Sequence, residues 1–561
     1  MSGSLGRAIL AALCATVCTA QVPVILISVD TLRADHLGVY GYRRARTPNI
    51  DSLAAGGTIF QQIDSQIPLT LPSHFSLFTS SYPFTNRVQE NAQQVPSDAV
   101  TLASILHDHG YSTAAFIGSI YLERELGIDR GFDFYDSPFR FEAFSSLAGS
   151  MFYGDRNSDP LRARTRREGA LVIRAALQWL NDNRGRPIFA FVHLFDLHQP
   201  YRLPQSAERR AGVSDYDGEL EYIDRLIGSL RDALVRDGLW DRSLVIFLSD
   251  HGESLGEHGE QTHGYFIYQS TLHVPLIVHW PKSTANFLAV SSQPGGLIDV
   301  APTILDFLKL PVPASFAGHS LLKADQQRPV FSESDYSHDA FGWSALRSLR
   351  VGKLQFIAAP RPELYDLEQD PGERNNLFAS HAVEARSLQA QLANLMATHA
   401  PDRPAPAPIS PEKMAALKSL GYVAPSPRPP GISGADPKDR LAEYVLYERA
   451  QDEILSGRNA SAIAILVRIL AGDAKNTLAR RDLGVAYNAE AEYTKARENL
   501  EQVVAAAPGD FVAHFELGIA EEHLGLLSDA IGQLRKACGI APQSAGCRRE
   551  LESAQQKGVR K

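Results

Sequence analysis

The sequence predicts an α/β domain built on a mostly parallel sheet flanked by helices, and then an all-α domain. Three observations carry this. Val22–Val29, Pro187–Leu194 and Ser243–Ser249 are continuous apolar, β-branched runs of the kind buried on both faces of a parallel sheet. Segments of helical character, such as 100–110 and 220–237, lie between them. Near the C-terminus the chain repeats with a period of 34: Leu483-Gly484 recurs as Leu517-Gly518, Ala462 as Ala496 and Ala530, and Pro508 as Pro542.

The 561 residues, 44 % hydrophobic, suffice for one large core plus a second module. A net charge of −9 without a basic stripe argues against nucleic acid as a partner. Arg7 and the apolar run Ala8–Ala20 read as a secretory signal peptide, residues 1–20, cleaved near Ala20. The run is too short for a span, so the expectation is a secreted or periplasmic protein with no membrane span after cleavage. Cys14 and Cys18 would leave with it, and neither follows the small-residue pattern of a lipid-anchor site. Cys538 and Cys547 remain as a candidate local disulfide, which leaves residues 21–400 without cysteine.

Each apolar run ends in acids or histidines. The first leads into Asp30-Thr-Leu-Arg-Ala-Asp35, the second into Phe195-Asp196-Leu-His198, the third into Asp250-His251-Gly-Glu253. One Asp after a strand is ordinarily a turn residue. Three strands delivering Asp and His at their carboxyl ends point to a metal or phosphate site, because ligands bind there in parallel sheets. Pro68-Leu-Thr-Leu-Pro-Ser-His74 opens a helix read over Phe75–Tyr82, with Pro72 in its first turn and Ser73 able to cap exposed N–H groups. Thr70 would face the positive helix end, which favours an anionic substrate. A threonine nucleophile needs a base or a metal. Asp30, Thr70, Asp250 and His251 give an O/O/O/N shell that suits one Zn²⁺ or Mn²⁺ better than Ca²⁺. The metal would depress the Thr70 hydroxyl pKa and hold it for in-line attack. His198 and His263, the latter in a Gly-rich loop, could bind oxygens of a tetrahedral anion or protonate a leaving group. His258 and His193 are assigned to surface and packing.

The segments 24–51 (ISVDTLRADHLGVYGY…TPNID), Thr70-Leu-Pro-Ser-His74, SDHGESLGEHGE…HGY, Ile298–Ile304 and Glu363–Glu373 together resemble the sulfatase-like branch of the alkaline-phosphatase superfamily, over residues 22–400. The resemblance implies that branch's fold, with Trp343–Leu367 in its small C-terminal sheet. In sulfatases a Cys or Ser opens the motif and becomes formylglycine; Thr70 cannot, and the motif's arginine is His74. One of the paired acids is Thr31, and the Asp-Asn pair is Asp250-His251. These departures move toward the family's phospho-group enzymes, and Asp250–Glu257 with His263-Gly264 is similar to phosphoethanolamine transferases, whose membrane helices this chain lacks. Asp196-Leu-His198 does not match the Asp-x-x-x-His of two-zinc phosphodiesterases, hence one metal.

The implied domains are 21–400, a sulfatase-like catalytic domain; 401–437, a Pro-rich linker with one short helix near 412–420; and 438–555, which resembles tetratricopeptide repeats, about three hairpins open to a protein or peptide partner. The leading expectation is an exported metal-dependent hydrolase or transferase acting on a phosphate ester or diester, with an anionic ester as substrate. A sulfuric ester hydrolase without formylglycine is one alternative. A non-catalytic repeat scaffold is another, against which stands the presence of all four candidate ligands. Specificity would lie in loops such as 138–167.

Overall fold

A computed structural model describes residues 21–91, 93–139, 166–199, 201, 203–204, 210–284, 287–401, 431–540 and 545–559. The candidate signal peptide, most of the 138–167 loop and the short helix near 412–420 lie outside these residues.

Two sheets organise the first part of the chain. The strands are β1 Val24–Val29, β2 Gly57–Asp64, β3 Ser112–Phe116, β4 Phe134–Asp136, β5 Ile188–Leu194, β6 Leu244–Leu248, β7 His273–His279 and β8 Val290–Gly296, followed by β9 Val330–Ser334, β10 Leu346–Val351, β11 Leu354–Ala358 and β12 Glu363–Asp366. The large sheet runs β4-β3-β5-β1-β6-β7-β2-β8 and the small antiparallel sheet β12-β11-β10-β9. β1 lies between β5 and β6, parallel to both, with Ser28 opposite His193 and Leu248. The three apolar runs therefore end side by side. Only β7 reverses direction, pairing antiparallel with β6 and β2. The small sheet also begins earlier than read from the sequence, because β9 joins it from residue 330.

Helices cover both faces. Those that matter here are α1 Thr70–Thr79, α2 Leu102–Asp108, α3 Gly169–Asp182, α4 Asp215–Arg236, α5 Val300–Phe307 and α6 Ala382–Thr398. One core, holding Leu26, Phe189, Ile246 and Phe75, packs α1, α2 and α5 on one face of the sheet. The other, holding Ile27, Val192, Val245 and Ile223, packs α3 and α4 on the opposite face. Burying such side chains contributes roughly 1.5–3 kcal/mol each, which fixes the strand ends against one another.

α1 begins earlier than the sequence suggested. Thr70 is its first residue, Leu69 precedes it in an extended conformation, and no side chain caps it. Ser73 does not cap; its hydroxyl donates to the Asp250 carbonyl (2.7 Å) and meets Ser65 Oγ (3.2 Å). A buried helix N-terminus is thus tied to β6 rather than closed on itself.

The C-terminal helices are α7 Pro437–Leu455, α8 Asn459–Gly472, α9 Thr477–Ala489, α10 Tyr493–Ala506, α11 Phe511–His523, α12 Leu527–Ile540 and α13 Ala545–Val559. They make three hairpins and a closing helix. The repeated alanines 462, 496 and 530 are fully buried. Gly484 and Gly518 let paired helices approach: a Cβ there would lie 2.5 Å from Leu500 and 2.7 Å from Leu534. Cys538 and Cys547 form a disulfide, Cα–Cα 5.7 Å, joining α12 to α13. Among the described residues no helix is long and apolar enough to cross a membrane.

Candidate active site

Asp30, Thr70, Asp250 and His251 meet where β1 and β6 end and α1 begins, and all four are fully buried. Thr70 Oγ1 donates to Asp30 Oδ2 at 3.3 Å. One ligand atom each from Asp30, Asp250 and His251 lies within 4.8 Å of the others. Among the described residues, Asp30 Oδ1, Asp250 Oδ2 and His251 Nε2 have no hydrogen-bond partner. The His251 Nδ1–H donates to the Gly252 carbonyl (2.9 Å), which fixes the tautomer and leaves the Nε2 lone pair for a metal.

The electrostatics agree. Burial pushes the Asp30 carboxyl up to about 7 and raises that of Asp250, which the like charge of Asp30 raises further. Two adjacent carboxylates with orphaned oxygens are costly unless a cation joins them. The donor set is three oxygens and one imidazole nitrogen, so a divalent metal fits the cluster.

Thr31 is not a further ligand. Its Oγ1 donates to the carbonyls of Asp30 (2.8 Å) and Leu197 (3.0 Å). Its φ of 58° is a left-handed conformation strained for a β-branched residue. Bonds from Thr31 N to Asp250 Oδ1 (3.4 Å) and from Tyr216 Oη to Thr31 O (2.8 Å) hold that turn.

Around the cluster stand four more histidines. His263 lies 4.4 Å from His251 and 5.1 Å from His198, ring centre to ring centre. Its Nδ1 meets Glu253 Oε1 at 2.9 Å, and Tyr201 Oη donates to Glu253 Oε2 at 3.2 Å. Burial drives Glu253 up to about 8 and His263 down to about 4, so near pH 7 the pair holds one proton between them. His198 donates Nδ1–H to Gln199 O (2.7 Å), and its Nε2 is buried and unpaired. The loop carrying it is braced by Arg166, which donates to the Asp196 carbonyl. His74 has both ring nitrogens occupied, by Thr70 O (2.8 Å) and Ser28 Oγ (2.9 Å), and burial lowers it to about 4.

His193 corrects the sequence reading. It is fully buried at the end of β5 with Nε2 3.3 Å from Asp30 Oδ2. It therefore sits against a candidate metal ligand rather than serving only as packing. His258, by contrast, stacks on Tyr268 at 3.6 Å, away from the cluster, in keeping with packing. Sequence reasoning also passed over Glu253; its signal was an acid two residues beyond a histidine at a strand end.

Comparison with known proteins follows this geometry. The family model described as Sulfatase matches residues 23–310, that of the N-sulphoglucosamine sulphohydrolase C-terminal region 256–400, and a tetratricopeptide repeat model 489–545. Arylsulfatase K of Mus musculus is 23 % identical over 451 residues, covering 66 % of this chain and 79 % of its own. Arylsulfatase A of Homo sapiens is 25 % identical over 454 residues, covering 67 % and 87 %. The phosphonate monoester hydrolase of Agrobacterium radiobacter shares the fold at a TM-score of 0.56 and 22 % identity, covering 68 % of this chain and 96 % of that one.

Proposed function

The chain belongs to the sulfatase family and is an ester-bond hydrolase, and from that premise we propose that it acts on a phosphate ester or diester with Thr70 as nucleophile. The observation that carries this is the residue at the head of α1: a threonine, its hydroxyl 3.3 Å from Asp30 Oδ2, in a part of the chain without cysteine. A threonine cannot become the formylglycine on which sulfate-ester hydrolysis rests in relatives with Cys or Ser at this place. One solved relative of this fold is a phosphonate monoester hydrolase, which accords with a phosphorus centre.

Asp30, Thr70, Asp250 and His251 would hold one Zn²⁺ or Mn²⁺, whose charge would make the Thr70 hydroxyl acidic and offset the charge of the substrate. Thr70 Oγ1 forms a bond to phosphorus as the ester P–O bond breaks. Its own proton can pass to Asp30 Oδ2, the acceptor it already faces. The leaving oxygen takes the proton held between Glu253 and His263, delivered from the His263 ring. His198 gives its Nδ1–H to Gln199 O and burial holds it well below the usual imidazole range. Its Nε2 therefore presents a lone pair and can take a proton from the water or acceptor hydroxyl that releases the phospho-group, rather than donate to a non-bridging oxygen. The phospho-threonine so formed is released by water or by an acceptor hydroxyl, the second making the protein a transferase. The same site could instead turn over a sulfuric ester.

The test is turnover of an aryl phosphodiester, phosphomonoester and sulfate with Zn²⁺ or Mn²⁺, beside Thr70→Ala. Phosphoryl turnover lost in the variant supports the assignment; sulfate turnover alone overturns the substrate class. Export to the periplasm or medium belongs to the same proposal, and N-terminal sequencing of protein recovered from each fraction tests it. The repeats add a surface for a protein partner, consistent with their family.

A further inference from the structure

The first helix of the repeat module touches the loop that carries His263. Tyr265 and Tyr444 stack with ring centres 4.2 Å apart and planes 10° from parallel. Tyr265 Oη donates to the Pro437 carbonyl at 2.7 Å, at the start of α7. Thr262, adjacent to His263, shares a 3.1 Å hydrogen bond with Tyr444 Oη. Leu441 covers Gly259, where a Cβ would come within 2.5 Å of it. Lys438 pairs with Glu363 at 2.8 Å, and Glu363 also receives the Tyr268 hydroxyl (2.8 Å). Tyr444 and Tyr265 are 2 % and 0 % exposed, so the contact is a dry core rather than a surface brush.

The other side of the loop faces the cluster. His263 is fixed there by Glu253, and the Thr262 carbonyl accepts from Ser254 N at 2.7 Å. Gly264 takes φ +97° and rests against Leu69, the residue before Thr70, while Ser334 Oγ donates to its carbonyl. The loop is thus a thin slab between the candidate active site and α7. Its own bonds include Glu260 accepting from Tyr265 N (2.9 Å). Tyr336 and Trp343 pack on the same aromatic cluster, and Gln199 Nε2 donates to the Gln261 carbonyl at 3.2 Å, so α7 closes a cage that other elements begin.

We infer that α7 is part of the catalytic apparatus and that Tyr444 is a positioning residue, setting His263 through Thr262 and Tyr265. This rests on the reading of His263 as leaving-group acid. The repeat module then governs proton delivery to the leaving oxygen and not only the choice of partner. A positioning error of a fraction of an ångström lowers the rate of general acid catalysis without affecting the nucleophile or the metal ligands.

The experiment compares the full-length chain with Tyr444→Ala and Tyr444→Phe on two esters of the class the wild type turns over, one losing 4-nitrophenol and one losing phenol. The expected result is a fall in kcat of at least about tenfold on the phenyl ester, where the acid is needed, and less than about twofold on the nitrophenyl ester. KM and bound metal stay unchanged, and Tyr444→Phe, which keeps the stack on Tyr265 but loses the hydrogen bond to Thr262, recovers part of the rate. Equal losses on both esters, lost metal, or no loss on either overturn the inference. Amide exchange of segment 257–268 needs no substrate: it must accelerate in Tyr444→Ala, and an unchanged rate also overturns it. Failure of the phosphate assignment would show separately, as a wild type without phosphoryl turnover.

Discussion

Asp30→Asn tests the metal cluster through stability rather than rate. Burial raises this carboxyl from 3.8 to about 7 in the folded chain without metal. The folded state then binds more protons than the unfolded state between those pH values, so stability falls as pH rises from about 4 to 7 and stays low above. At about 1.36 kcal/mol per pH unit the cost above pH 7 is at most about 4 kcal/mol. Asparagine keeps the shape and removes the charge. In a chelating buffer at pH 8, Asp30→Asn is therefore expected to be more stable than wild type, by up to about 4 kcal/mol, with the difference vanishing near pH 4. Zinc at a thousand times its Kd should give the wild type roughly 4 kcal/mol and the variant little. Urea denaturation followed by tryptophan fluorescence reads this directly, since Trp179, Trp240, Trp280 and Trp343 all precede the repeats. A variant less stable than wild type at pH 8 in chelator, or equal stabilisation of both by zinc, would refute the reasoning.

Glu253→Gln keeps an acceptor for His263 Nδ1 but removes the shared proton, so turnover of esters with poor leaving groups should drop by about 10² or more, read as a steeper dependence of log kcat on leaving-group pKa. Gly518→Ala puts a methyl group 2.7 Å from Leu534 and should cost about 1–3 kcal/mol, whereas Gly532→Ala, with nothing within 4 Å, should leave the module as stable or slightly more so; thermal melts at 222 nm compare them. Glu516, buried and raised to about 7, withdraws stability from the repeats as pH rises from 4.5 to 7; Glu516→Gln should flatten that profile, by about 3 kcal/mol at most, in melts taken across the range.

The strand ends were legible because a sheet buried on both faces leaves little choice: an apolar run stops where the chain meets a polar site, as at Asp30 and Asp250. Thr70 was legible as a candidate from its motif, but the start of α1 was not, since its N-terminus is satisfied by tertiary bonds rather than by a cap. His193 was hidden by its surroundings. It sits inside an apolar run, and only the pairing of β5 with β1 shows that it shares a face with Ser28 and Asp30. Periodicity within one strand cannot reveal that neighbour. β9 was missed for the same kind of reason, because its partner β10 supplies the reason for it to be a strand. The contact of Tyr444 with Tyr265 joins residues far apart in the chain and is a property of the folded whole.

The disulfide between Cys538 and Cys547 has a consequence for how the helical array comes apart. A linear stack of repeats opens most cheaply at its ends, where a unit gives up a single neighbour. Here one end is stapled covalently and the other is docked on the α/β domain through Tyr444. Fraying is thereby opposed at both ends, while the middle hairpin, α9 with α10, keeps its two neighbours. Solenoid arrays ordinarily show protection against hydrogen exchange that declines outward from the centre; here the expected decline is shallow, because neither end is free.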